Sequence, residues 1–171
     1  MHIGTQVTKY KTIRELINDS NVKDKLHYFY ILRLPRCGGS RIKIGKSAAI
    51  VGRMKYYQSY FHSSEVEFLE LRSFPNQMTN RYGEKAKLVY SVFEDEVKEA
   101  LRNFGTEKIT SGDGKITEWF PSKSRQELMK TYNDFIQKFK SMRHEKTLKK
   151  ESLKRGVKKP VDYKEKNEDD I

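Results

Sequence analysis

Tyr28-Phe29-Tyr30-Ile31-Leu32-Arg33-Leu34, then Pro35-Arg36-Cys37-Gly38-Gly39-Ser40, then Arg41-Ile42-Lys43-Ile44-Gly45 is the stretch that decides the fold. The first segment is rich in aromatic and branched aliphatic residues. The last restores apolar and polar alternation, and the proline and glycines between them punctuate the chain as a turn, so the whole reads as a β-hairpin. Downstream, Ile50, Met54, Tyr57 and Phe61 recur at three- and four-residue intervals, which predicts an amphipathic helix over 48–61 with Arg53, Lys55 and Tyr56 on its other face. Glu65-Val66-Glu67-Phe68-Leu69-Glu70-Leu71 then alternates and predicts a third strand with one wet face, ended by Pro75-Asn76.

Working outward, Tyr10, Ile13, Leu16 and Ile17 predict a short leading helix within 8–19, stopped at Asn18-Asp19-Ser20-Asn21. A longer helical pattern runs over 79–103, burying Leu88, Val89, Phe93, Val97, Ala100 and Leu101, with Gly83 weakening its start and Gly105 closing it. Ser111-Gly112-Asp113-Gly114 reads as the turn of a second small hairpin leading into Ile116-Thr117-Glu118-Trp119-Phe120. Ser124 and Glu127 resemble a capping box, opening a helix with Leu128, Met129, Tyr132, Phe135, Ile136 and Phe139 on one face. The expected fold is α+β: a small three-stranded antiparallel sheet flanked by helices, with a basic helical or disordered C-terminal extension. The expected organisation is a helical lead-in over 1–25, one domain over 26–139 and a basic, flexible tail over 140–171.

Composition narrows the function classes. The chain has 171 residues, enough for one core, and carries a net charge of +12 with a pI near 9.6. An excess of lysine and arginine favours a polyanionic partner, because neutralising phosphates releases counterions. Cys37 is the single cysteine, which excludes an internal disulfide and a cysteine-built zinc site, and it reads as an incidental turn thiol. No apolar stretch approaches the roughly 20 residues of a membrane helix, and Met1-His2-Ile3-Gly4 lacks a signal-peptide core. An intracellular setting is expected, in cytoplasm or host nucleus, with virion association a further option. Gly45-Lys46-Ser47 has Ser40 where a phosphate-cradling loop needs glycine, so nucleotide hydrolysis is not expected. His2, His27, His62 and His144 show no metal-site spacing and read as structural or surface residues.

The order of hairpin, Lys-Ile-Gly, and a helix with Arg53 and Tyr57 four residues apart, followed by a strand and a glutamate-bearing helix, resembles the GIY-YIG nuclease superfamily, in particular its phage- and virus-associated branch, over about residues 28–120. Tyr30 of Tyr28-Phe29-Tyr30 stands at the tyrosine of the first motif. Lys43-Ile44-Gly45 stands at the second, with lysine in place of tyrosine. Arg53 fits the helix arginine, Tyr57 the tyrosine or histidine four residues on, and Glu94, framed by Phe93, Val97 and Leu101, the metal-binding glutamate. Glu84, Glu96 and Glu99 remain alternatives to Glu94. Glu118-Trp119-Phe120 resembles a terminal element of the same branch, although Trp119 and Phe120 also suit a core.

The resemblance implies a metal-dependent endonuclease acting on DNA, with RNA the alternative polymer and one Mg²⁺ or Mn²⁺ ion on Glu94. Phosphodiester hydrolysis needs a deprotonated water, stabilisation of added negative charge and help for the leaving oxygen. Tyr30 beside Lys43 is expected to supply a phenol of lowered pKa, and Arg53 to fork onto phosphate oxygens. Tyr57 is expected to donate to the phosphate or to pack in the core. Lys46 and the tail residues Lys149, Lys150, Lys154, Arg155, Lys158 and Lys159 are the expected backbone-phosphate contacts. Two other classes fit the same residues: a nucleic-acid-binding module that keeps the fold without turnover, and a structural or packaging protein acting through its basic tail.

Overall fold

A strand buried on both faces needs a neighbour at each edge and a layer on each side, and the segment around Tyr30 has all four. The computed structural model describes residues 2–23, 25–34, 41–61, 65–79, 86–110, 116–121 and 125–157, of which 107–110, 116–118 and 143–157 are described by their backbone alone. In chain order the elements are β1 (Thr5–Gln6), α1 (Ile13–Ile17), β2 (His27–Leu34), β3 (Arg41–Ser47), α2 (Ile50–Phe61), β4 (Glu67–Phe74), β5 (Met78–Thr79), β6 (Lys87–Leu88), α3 (Val89–Ala100), β7 (Glu107–Thr110), β8 (Ile116–Pro121) and α4 (Arg125–Val157). The chain divides into two units, Met1–Tyr132 and Asn133–Ile171.

The sheet is antiparallel, in the order β1-β4-β2-β3-β8-β7. The expected α+β class is present. The expected three strands are its centre, β4-β2-β3, and the sheet is wider than that because β1 pairs with β4 and the β7-β8 hairpin joins β3. The register sets what meets what: Tyr28 faces Ser47, Tyr30 faces Gly45 and Leu32 faces Lys43 on one side, while Phe29 faces Lys46 and Ile31 faces Ile44 on the other. The register between β2 and β4 shifts between Ile31 and Leu32. Among the described residues, strand β8 pairs with β3 through Arg41 and Ile42.

On the first face, Tyr28, Tyr30, Leu32 and Leu34 pack with Ile13 and Leu16 of α1 and Ile50, Met54 and Tyr57 of α2. On the second, Phe29 meets Phe93 of α3 edge-on at 4.8 Å and stacks on Tyr132 of α4 at 6.1 Å, while Phe74 lies 5.2 Å from Phe93. Rings at these separations add about 0.5–1.5 kcal/mol per pair beyond the area they bury.

Several boundaries differ from the sequence expectation. Helix α1 is only five residues long because Thr12 ends the preceding extended chain and caps it: its hydroxyl accepts from the Glu15 N–H while the Glu15 carboxylate accepts from the Thr12 N–H. Helix α3 begins at Val89 because Met78–Thr79 and Lys87–Leu88 pair as a ladder. Beyond Phe139 the backbone is helical up to Val157, the helical form of the expected extension. The lysines, glutamates and arginines there are good helix formers even without an apolar stripe. Cys37 and its turn, Ser111-Gly112-Asp113-Gly114, Gly83, Glu84, Ser124, His62, Lys158 and Lys159 lie outside the described residues.

Candidate active site

Tyr30 projects from β2 across its cross-strand partner Gly45, and its hydroxyl lies 3.0 Å from that of Tyr57 on α2. Both phenols are buried, Tyr30 to 2% and Tyr57 to 7% of their surface. Burial pushes both above the ordinary phenol range. The two hydroxyls share one hydrogen bond, in which either can be the donor. Arg53, one turn before Tyr57 and exposed, favours the phenolate of both, whereas the charge of Glu94 disfavours it. The expected lowering of Tyr30 by Lys43 is therefore corrected: Lys43 stands opposite Leu32, and desolvation outweighs the charge of Arg53. Tyr57 serves core and site together, its ring in the apolar cluster and its hydroxyl on Tyr30.

Glu94 is the buried carboxylate of α3, 6% exposed. Phe93 and Val97 beside it are buried, so the apolar framing seen in the sequence does turn Glu94 inward, whereas Glu99 is exposed and pairs with Arg102 at 3.2 Å. The lysine at this carboxylate is Lys46, at 3.5 Å, and Lys98 approaches from one helical turn on at 3.6 Å. Lys46 also donates to the Ser91 hydroxyl at 3.0 Å and lies 5.7 Å from the Tyr90 ring centre. Tyr90 in turn stacks on the buried His27 at 4.2 Å.

Gly45 and Lys46 are neighbours on β3 that point to opposite faces. One lies beneath Tyr30 and the other reaches Glu94, so this strand brings the two half-sites together. Lys43 sits two residues earlier, opposite Leu32, with its ammonium 5.5 Å from the centre of the Trp119 ring. Trp119 and Phe120 are buried, as a core role requires. Lys149, Lys150, Lys154 and Arg155 lie on α4.

A second buried polar cluster escaped the sequence reading. Arg72 donates through Nε to Glu70 and to the Tyr132 hydroxyl, both at 3.0 Å, and through a guanidinium nitrogen to the Ile3 carbonyl at 2.9 Å. Tyr132 also donates to Glu70, and Gln6 donates to the other Glu70 oxygen at 3.0 Å. Glu70 and Arg72 are 5% and 4% exposed, so β4, expected to have a wet face, is covered at these two positions, while Glu67 stays partly exposed.

A metal was expected on Glu94. Among the described residues no group of three or more His, Cys, Asp or Glu could hold an ion by itself. Glu94 is a single buried carboxylate with Lys46 and Lys98 at 3.5 and 3.6 Å, so a hard ion held there would take its other ligands from water or substrate oxygens. Among the described residues no helix is long and apolar enough to cross a membrane.

Compared with known families, residues 27–136 match the model described as the T5orf172 domain. Neither the curated proteins nor the solved structures gave a match.

Proposed function

The chain belongs to the T5orf172 domain family, a phage-associated domain of the nuclease-like class, and from that premise we propose that it is a metal-dependent endonuclease of the GIY-YIG type that hydrolyses phosphodiester bonds in DNA. The observation that carries the proposal is the buried Tyr30 and Tyr57 hydroxyl pair at 3.0 Å, acted on by Arg53 from α2 and Glu94 from α3. Such a set has little use in a core and direct use at a phosphate.

In this reading Arg53 forks onto the non-bridging oxygens and stabilises the charge that develops on them. Tyr57, kept neutral by burial, donates its hydroxyl to a phosphate oxygen, and the attacking water gives up its proton to solvent. Tyr30, whose hydroxyl lies 3.0 Å away, holds Tyr57 in place. Lys46 orients Glu94, and Lys43, on the neighbouring stretch of β3, meets the substrate backbone. Glu94 would hold the Mg²⁺ or Mn²⁺ ion, which would supply Lewis-acid stabilisation of the phosphate and the leaving oxygen. The basic residues of α4 add affinity that falls with salt.

The test is nicking of supercoiled DNA by the full chain in Mg²⁺ or Mn²⁺. Glu94→Gln and Arg53→Ala are each expected to lower the rate by about 100-fold or more. Equal cutting by parent and both variants sinks the proposal. The two lysines on Glu94 and the raised tyrosines favour one other reading, a DNA-binding module without turnover. Salt-sensitive binding with no cleavage in either metal would select it.

A further inference from the structure

Helix α2 contributes Met54 and Tyr57 to the core and leaves its other face bare. Tyr56 is 37% exposed, the highest of the aromatic residues whose side chains are described, and Gly52, Arg53, Lys55 and Ser59 are exposed around it. The helix, Ile50–Phe61, contains no Asp or Glu. Tyr56 is nevertheless not a loose side chain. It stacks on Tyr57 at 5.6 Å and 10°, and Tyr60 meets it at 5.8 Å and 75°. Two rings thus steady one side of the phenol while the remainder meets solvent. One turn back, a Cβ on Gly52 would meet no atom of the described residues within 4 Å, so none of their side chains closes the space there. Neither packing nor a left-handed backbone accounts for that glycine, although it weakens a helix relative to alanine.

We propose that this face of α2 is a stacking platform for an unpaired base, and that the substrate is consequently single-stranded, flapped or locally distorted nucleic acid rather than regular duplex. A rigid exposed ring on a helix that carries Arg53 and Lys55 and no acid of its own suits a base attached to phosphates better than a peptide or an apolar surface. Within a regular duplex both faces of each base are covered by its neighbours, so only an unstacked base can lie on Tyr56. The platform also joins the candidate site directly. Tyr56 stacks on Tyr57, whose hydroxyl bonds Tyr30, and Arg53 precedes Tyr56 by three residues. A base on Tyr56 thereby brings its own phosphate to Arg53. The inference rests on the nuclease reading for its position beside the cut, while the binding it describes is measured separately.

Binding of the full chain to fluorescent oligothymidylate about 16 nucleotides long, and to a duplex of the same length, tests it in the presence of chelator so that nothing is cut. Tyr56→Ala is expected to weaken single-strand binding about 5- to 150-fold and duplex binding less than about twofold. Tyr56→Phe should keep the parent values, and Tyr56→Trp should show indole quenching with the single strand only. Because Tyr56 is exposed, all three variants should melt with the parent. Equal losses on both polymers, or no loss on the single strand, overturn the platform. Tight, Tyr56-dependent single-strand binding by a chain that never cuts in metal would overturn the nuclease reading and leave the platform standing.

Discussion

Tyr30 lies so close over Gly45 that a Cβ built on the glycine would stand 2.5 Å from its Cζ and Oη. Real carbon atoms do not approach that closely, and β3 is held on both sides of this point by its pairing with β2. The absent side chain is what lets the ring cross the strand and reach Tyr57. Gly45→Ala should displace the ring, break the hydroxyl pair and cost about 1–3 kcal/mol of stability through overpacking. Urea unfolding should show that loss, and nicking should fall by at least about tenfold. A stable, fully active Gly45→Ala protein would contradict the geometry.

The hydroxyl pair itself should be thermodynamically coupled. Tyr30→Phe or Tyr57→Phe alone leaves one buried hydroxyl without its partner, at a cost of about 1–3 kcal/mol. Removing both hydroxyls leaves no orphan, so the double variant should be less destabilised than the sum of the singles. A double-mutant cycle by chemical denaturation checks this, and strict additivity would mean that the two hydroxyls do not depend on each other.

Alkali should unfold the protein in a characteristic way. Burial raises Tyr30, Tyr57 and Tyr132, and burial together with Asp19 pushes Tyr10 up to about 12, against an ordinary value of 10.0. The folded chain therefore keeps these phenols neutral where the unfolded chain ionises them. Their stabilising contribution is complete below about pH 10 and is lost as pH rises through the folded values. Urea midpoints should be insensitive to these groups at neutral pH and fall steeply above about pH 10, with part of the tyrosinate absorbance appearing only on unfolding. Complete titration of all ten tyrosines in the folded protein near 10 would refute the burial argument.

Arg72 should be the most damaging charge to remove outside the candidate site. Arg72→Ala strands the buried Glu70 carboxylate and should destabilise by about 3–5 kcal/mol. The paired change Arg72→Met with Glu70→Leu should recover most of that loss, since two apolar groups leave no buried charge. Thermal melts of the three proteins decide between this and a mere packing role.

Much of the fold was legible because its signals are local. The alternation in Ile42, Ile44 and the residues between them, and the spacing of Ile50, Met54 and Tyr57, are consequences of strand and helix geometry that any neighbour would exploit. The site was legible in part for the same reason, since Phe93 and Val97 mark the buried side of α3 and carry Glu94 with them. What the sequence could not reveal is which distant element arrives at a given face. Glu70 reads as solvated until Gln6 and Tyr132, 64 and 62 residues away, are seen to cover it. Likewise Lys43 and Lys46 differ by three positions and so point to opposite sides of β3. Motif likeness set Lys43 beside Tyr30 and said nothing of the lysine that meets the carboxylate, which is Lys46. The charge on Tyr30 was misjudged because desolvation, which no motif records, outweighs a nearby cation.

The anchoring of Arg72 on the Ile3 carbonyl, and of Glu70 on Gln6, bears on how portable this domain is. The family match begins at residue 27, yet two of the partners that satisfy the buried ion pair come from the first six residues. A graft of 27–136 into another protein would import the tyrosines, the arginine and the glutamate intact while leaving a guanidinium and a carboxylate short of partners at the back of the sheet. Any host of such a graft has to bring its own acceptor and donor to that place, so the recombination boundary of the module lies upstream of its recognisable motifs.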